Sequence, residues 1–258
     1  MSVTALMIAY NEEELLPNCL AYLESVKQIT EIVLVVDQDT NDRTVSIFDR
    51  YCKWSSKNSL ISQISQRTSI GALQNISVDL ATKDWLLILA PDETFTPQLD
   101  NLLDELITNK HPSINAVRVP TVTLFRDRRH FVSQAKTGLD PHIRIFRKGF
   151  ARFEEKLHAD IVDINGRKLH SCYDSDILTT FQDTRYQDVG MKHLQLLKSD
   201  AALVSKGLRW KATNALKESA EQGLPVGEKT WLEWKKWIFR EHEILDLPEK
   251  LYDITSDW

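Results

Sequence analysis

Along the first hundred residues, short unbroken apolar runs alternate with amphipathic stretches. VTALMIAY (3–10), EIVLVVD (31–37), SLISQIS (59–65) and DWLLILA (84–90) are such runs, each closed by polar residues. Continuous hydrophobicity over so few residues predicts strands buried on both faces. Between them, NEEELLPNCLAYLESV puts Leu15, Leu16, Leu20, Leu23 and Val26 on one helical face. Asn11 and the glutamates after it favour a helix start there. VSIFDRYCKW and IGALQNISVDLAT (70–82) read as two more helices, and TPQLDNLLDELIT (96–108) as a fourth, with Thr96 as its cap and Pro97 at its first position. Strands alternating with helices predict an α/β fold: a mostly parallel sheet covered by helices on both faces.

In such sheets ligands bind beyond the carboxyl ends of the strands. Three polar clusters fall there: Tyr10-Asn11-Glu12, Asp37-Gln38-Asp39 and Asp92-Glu93. They are distant in sequence and are expected to converge at one edge. Asp39 and Asp42 read as turn residues. Further on, NAVRVPTVTLF (115–125) and HIRIFRK (142–148) are strand-like, and the basic stretch RDRRHFVSQAKTGLDP between them reads as a loop over a site. DIVDINGRKL (160–169) reads as a hairpin turning at Asn165-Gly166. From about Gln187 the pattern is mostly helical and ends in a stripe of Trp231, Trp234, Trp237 and Ile238. That stripe either packs on the main domain or forms a dimer or membrane-surface face. The expected organisation is a domain over 1–186 and a helical extension over 187–258 packed on it.

Composition narrows the class. With 258 residues, 42% hydrophobic and 27% charged, the chain reads as an ordinary globular protein. MSVTALMIAY lacks the basic flank of a secretory signal, and no apolar run reaches the ~20 residues of a membrane span. Three cysteines without metal-like spacing point to a reducing, cytoplasmic setting. Contact with the inner face of a membrane stays open. A net charge of −5 argues against nucleic acid as partner. Residues 118–156 nevertheless carry ten Lys/Arg against four Asp/Glu, either an anionic-ligand site or a solvated face.

MIAYNEEELLPNCLAYL, EIVLVVDQDTNDRT, QNISVDLATKDWLLILAPDE and HIRIFRKGFARF stand in this order and spacing. Together they resemble the successive blocks of family 2 glycosyltransferases with the GT-A (Rossmann-like) fold, over roughly residues 2–165. RIFRKGFARFEEKLHADI resembles short bacterial enzymes that glucosylate lipopolysaccharide core sugars, which implies cell-envelope polysaccharide as product. The resemblance implies inverting transfer from a nucleotide diphosphate sugar, with a UDP-sugar expected, to a glycan, lipid-linked or other hydroxyl acceptor. It also implies Mg²⁺ or Mn²⁺ on the diphosphate leaving group. It places Ala9, Tyr10, Glu12, Asp37, Asn75, Arg144 and Arg147 with the donor. Tyr10 would pack on the base, Asp37 would bond it, and Glu12 would either reach the ribose or only favour a helix start. Arg144 and Arg147 read as sharing one strand face, there to grip the diphosphate or an anionic acceptor, or to line a solvated face.

Against the family pattern D-x-D, Asp92 falls on the metal-ligating Asp and Ala90 on the first one. One protein carboxylate can suffice when phosphates and water complete the shell. The related short enzymes carry His-Glu after the RLFR strand, whereas this chain has His158-Ala159. Asp160 and Glu155 are the candidate bases, with His158 as a possible assistant. Two functions follow: a working transferase, or a GT-A-like protein that binds nucleotide or glycan without turnover. Nucleotidyl transfer ranks below both, because IAYNEEE has no glycine-rich phosphate loop.

Overall fold

The computed structural model describes residues 2–64, 69–125, 130–132, 140–155, 159–172, 174–196 and 244–246. In chain order these form β1 (Val3–Ala9), α1 (Leu16–Ser25), β2 (Ile29–Asp37), α2 (Thr44–Trp54), β3 (Asn58–Ile64), α3 (Ile70–Leu80), β4 (Trp85–Ile88), β5 (Glu93–Phe95) and α4 (Leu99–Ile107). Then follow β6 (Ala116–Phe125), β7 (His130–Val132), β8 (Asp140–Arg147), β9 (Ala151–Phe153), β10 (Ile161–Asp163), β11 (Ile177–Thr179), β12 (Met191–Leu196) and β13 (Ile244–Asp246). The chain divides into two compact units, one of Met1–Thr121 with Pro141–Lys192 and one of Val122–Asp140 with His193–Trp258.

In the first unit the sheet runs β3-β2-β1-β4-β8-β6. β1 pairs in parallel with both β2 and β4, and β2 pairs in parallel with β3. β8 joins β4 antiparallel, with Leu87 opposite Ile145. The mixed α/β sheet is therefore parallel from β3 through β2 and β1 to β4, as the alternating pattern predicts. Two cores flank it. Leu16, Leu20, Leu23, Phe48, Leu99 and Leu103 carry α1, α2 and α4 to one face, against Ile32, Leu34 and Trp85. Leu73 and Val78 of α3 pack with Val33, Leu86, Phe146 and Phe153 on the other. Gly71 of α3 makes that second contact possible: a Cβ there would lie 1.8 Å from the Glu154 carbonyl oxygen.

Local details correct three expectations. α1 begins at Leu16, not at the NEEE run. Asn11 sits at φ 51°, and the Glu12 carbonyl accepts from Leu15 and Leu16 N–H, so residues 11–15 form a turn. Pro17 lies in the first helical turn, where its missing N–H costs nothing. Thr96 does not cap α4 with its side chain. Its hydroxyl donates to Asp188 O and accepts from Gly190 N–H, and the helix starts at Leu99. Met191–Leu196 is a strand where a helix was expected. The hairpin at 160–169 is tight: Asp163 O accepts from Gly166 N–H, Gly166 has φ 79°, and Val162 bridges Lys168.

In the second unit β7 pairs antiparallel with the end of β6 and with β13. The basic stretch predicted as a loop thus contains a strand at 130–132. Its remainder (126–129 and 133–139), His158 and the Trp231–Ile238 stripe lie outside the described residues. Among the described residues no helix is long and apolar enough to cross a membrane.

Candidate active site

Three parallel strands deliver polar residues to one edge. β2 ends in Asp37, β1 ends at Ala9 with Tyr10 to Glu12 following, and β4 runs into Ala90-Pro91-Asp92-Glu93. The order β2-β1-β4 makes these ends neighbours, and Ala9 pairs with Val36 one residue before Asp37.

Backbone-directed hydrogen bonds hold the connecting loops together. Thr44 Oγ1 accepts from Glu12 N–H at 2.7 Å, and Asp42 Oδ2 accepts from Glu13 N–H at 2.9 Å. Asn11 Oδ1 accepts from Asn41 N–H at 3.0 Å. Asp42 is therefore a turn residue, as expected. Asp37 Oδ1 accepts from Asp39 N–H at 3.0 Å, an Asx turn that fixes the orientation of its carboxylate.

The 90–93 turn is a closed unit. Glu93 Oε2 accepts from Ala90 N–H at 2.8 Å, and Glu93 also accepts a two-pronged pair from Arg144, at 3.1 and 3.2 Å. The Ala90 carbonyl faces the Cys19 thiol of α1 at 3.7 Å. Burial, and then the charges of Glu93, Asp92 and Glu12, push that thiol well above its usual range. Cys19 therefore stays a neutral donor. Asp92 is 1% exposed, Glu93 4% and Glu12 2%.

Beside the turn lies a cleft of ≈ 150 Å³ whose walls include Gln74, Ile88, His142, Arg144, Asp160 and His170. Ile88 is the last residue of β4, so the cleft opens at the same strand edge. Arg144 reaches it from β8, and its Nε is buried without a hydrogen bond among the described residues. Asp160 Oδ2 lies 2.6 Å from Lys168 Nζ, and Oδ1 lies 3.2 Å from His170 Nδ1.

The predicted residues thus separate into two groups. Ala9, Tyr10, Glu12, Asp37, Asp92, Arg144 and Asp160 gather at this edge or in its cleft. Arg147 does not. Residues three apart on a strand face opposite ways, so Arg144 and Arg147 do not share a face. Arg147 pairs with Trp85 at the other end of β4, stacks its guanidinium 4.5 Å from that ring, and bonds Ile114 O and Asn109 Oδ1. Asn75 is taken up by Phe153, to whose N–H and C=O its amide bonds at 2.9 Å each, fastening α3 to β9. Glu155 is exposed and is not part of the cleft wall.

Sequence reasoning missed Glu93 as the partner of Arg144, and it missed His170 and Arg118. Arg118 has a readable signal, a charge inside the apolar run AVRVPTV. It is 0% exposed and donates to Leu169 O (2.7 Å), His170 O (3.1 Å), Cys172 O and Thr179 Oγ1 (3.3 Å). Among the described residues no three His, Cys, Asp or Glu side chains cluster to enclose a metal ion.

Residues 4–167 match the family described as Glycosyl transferase family 2. The chain belongs to that family. Its α/β sheet is the GT-A type the resemblance implied. A TPR repeat-containing protein of Synechococcus elongatus is 27% identical over 165 residues, covering 62% of this chain and 35% of the relative. The chain thus spans about a third of the curated relative's length. Two solved structures of S. aureus TarS 1-349 are also similar. The complex with UDP-GlcNAc has a TM-score of 0.39 at 18% identity, over 48% of this chain and 34% of that one. The complex with UDP has 0.43 at 13%, over 91% and 78%. At such scores these likenesses bear on neither fold nor chemistry.

Proposed function

We propose that this family 2 protein transfers a sugar from a nucleotide diphosphate sugar, a UDP-sugar, to a hydroxyl of a glycan or lipid-linked acceptor, with inversion. The observation that carries the reading is the convergence of Asp37, the Tyr10–Glu12 loop and Asp92 at one strand edge, beside a cleft holding Arg144 and Asp160. Tyr10 and Asp37 take the base, and the Asx turn presents the Asp37 carboxylate in one orientation. Glu12, in the same loop as Tyr10, would reach the ribose. Arg144, its terminal nitrogens held by Glu93, supplies a fixed positive charge beside the diphosphate.

Asp92 would hold Mg²⁺ or Mn²⁺. The residues present fit that group, because an ion of this kind takes one or two carboxylates and completes its shell with phosphate and water. Bound there, it would neutralise charge on the leaving diphosphate. The cleft is smaller than the several hundred Å³ of a whole ligand site, which suits the sugar-and-acceptor end alone. There the acceptor oxygen attacks the anomeric carbon, the bond to the diphosphate breaks, and the acceptor proton leaves toward the Asp160 side of the cleft.

The test is release of UDP from UDP-glucose and UDP-GlcNAc with Mn²⁺, repeated with chelator. Release that chelator suppresses is the expected result. UDP binding without release from either donor would favour the reading in which the chain only binds nucleotide, with Ala90 in place of an acidic residue.

A further inference from the structure

We infer that His170 is the proton acceptor of this transfer, with Asp160 fixing its tautomer. The inference rests on the transferase reading above and concerns the identity of its base. Asp160 is held at both oxygens: Lys168 Nζ lies 2.6 Å from Oδ2 and His170 Nδ1 3.2 Å from Oδ1. Lys168 also lies 3.6 Å from Glu154 Oε2. A proton taken by Asp160 itself would break the ion pair with Lys168. A proton taken by His170 strengthens the contact it already makes. With Nδ1–H given to Asp160, the lone pair sits on Nε2, and the imidazolium formed on protonation stays paired with the carboxylate.

The placement of His170 is built from below. It lies on a single 3₁₀ turn, Leu169–Ser171, too short to hold itself. The fully buried Arg118 on β6 fastens that turn through the carbonyls of Leu169, His170 and Cys172. Leu169 is itself 0% exposed in the core beneath the sheet. The backbone of His170 is thus fixed while its side chain remains about half exposed and lines the cleft with Arg144 and Asp160. In the step, the acceptor O–H bond breaks as oxygen bonds the anomeric carbon. The proton passes to His170 Nε2, and the glycosidic electron pair leaves with the diphosphate. Among the described residues, the titratable and charged groups near His170 are Asp160, Lys168 and Glu154 on its own side, and Arg118, His142 and Arg144 from the strands.

The experiment measures UDP release from UDP-glucose and UDP-GlcNAc with Mn²⁺ between pH 5.5 and 9, for the full chain and its H170Q and D160N variants. UDP affinity and the histidine ¹⁵N spectrum are recorded alongside. We expect H170Q to lower kcat by about 10²–10⁴-fold, the usual worth of a general base, with UDP affinity within about twofold of wild type. The dependence of kcat on pH between 5.5 and 9 should flatten in H170Q. D160N should lower kcat by less than H170Q does, since the imidazole remains but loses the partner that fixes its tautomer. The spectrum should show His170 as the Nδ1–H tautomer in wild type and not in D160N. A wild type that turns over while H170Q keeps its kcat and pH profile overturns this proposal alone. No UDP release by wild type overturns the transferase reading and this proposal with it. Should H170Q fail to fold, a wild-type kcat that does not change with pH between 5.5 and 9 overturns the proposal just as well.

Discussion

Replacing Arg144 by Met tests the turn on which Asp92 depends. Met fills most of the volume of the arginine stem but removes its charge and forked donors. Glu93, 4% exposed, would then be a buried carboxylate keeping only the Ala90 N–H at 2.8 Å. Breaking a buried pair by removing one partner costs about 3–5 kcal/mol. Here the Arg144 side chain is 15% exposed and one hydrogen bond survives, so the expected loss is about 2–4 kcal/mol. In urea, with m of about 3 kcal/mol/M, the midpoint should fall by about 1 M. Replacing both residues, Glu93→Gln with Arg144→Met, removes the orphaned charge. The double variant should therefore be more stable than Arg144→Met alone, with a coupling of about 2 kcal/mol. An Arg144→Met midpoint that matches wild type, or strictly additive single variants, would refute the reasoning that the pair fixes the turn. Affinity for UDP with Mn²⁺ should fall in Arg144→Met as well, because Arg144 is also the proposed positive charge beside the diphosphate.

Three further outcomes follow from the same geometry. Asp92→Asn, nearly isosteric, should abolish the Mn²⁺ dependence of UDP binding in calorimetry and weaken binding more than about tenfold; an unchanged Mn²⁺ dependence would remove Asp92 from the site. Gly71→Ala should cost about 3 kcal/mol in urea unfolding, the upper end of overpacking, because the nearest atom is backbone that cannot step aside. Glu31 is pushed up by burial but held below its ordinary range overall by hydrogen bonds from Thr4 and from the Thr82 N–H and hydroxyl. A carboxylate with a lowered folded pKa contributes stability that is present above its unfolded value, near 4.5, and is lost as pH falls through the folded one. Wild type should accordingly lose more stability between pH 5 and pH 3 than Glu31→Gln, and parallel curves would count against this.

How much of this is legible in the sequence depends on the range of the interaction. The four strands and the helices between them were readable because burial on both faces writes continuous apolar runs, and strand ends then locate Asp37 and Asp92. What a polar side chain touches is decided by partners far off in sequence. Asn75 matches a donor-binding block but bonds Phe153, 78 residues on. Glu93, read as part of an acidic turn, pairs with Arg144 across 51 residues. Arg144 and Arg147 needed only strand periodicity: three residues apart means opposite faces, and the antiparallel register carries Arg147 to the far edge. His170 left no local mark, since its partner Asp160 lies across the turn at Gly166 and its support, Arg118, on β6.

The position of Ala90 shows how a carboxylate can be absent from a site without loosening it. The family pattern has an acidic side chain there. In this chain Ala90 acts through its backbone: its N–H goes to Glu93, its carbonyl faces Cys19, and Glu93 goes on to Arg144. These contacts anchor both ends of the turn, to the helix beneath and to the neighbouring strand, and Asp92 lies between the anchors. The Cys19 thiol is held neutral first by burial and then by the charges of Glu93, Asp92 and Glu12, and a carboxylate at 90 would add to those charges. Restoring the acidic residue, Ala90→Asp, should therefore weaken the fold through like-charge crowding unless a divalent cation is present. A rise in the urea midpoint of Ala90→Asp without metal would show that the turn has room for the charge and that its backbone contacts matter less than argued.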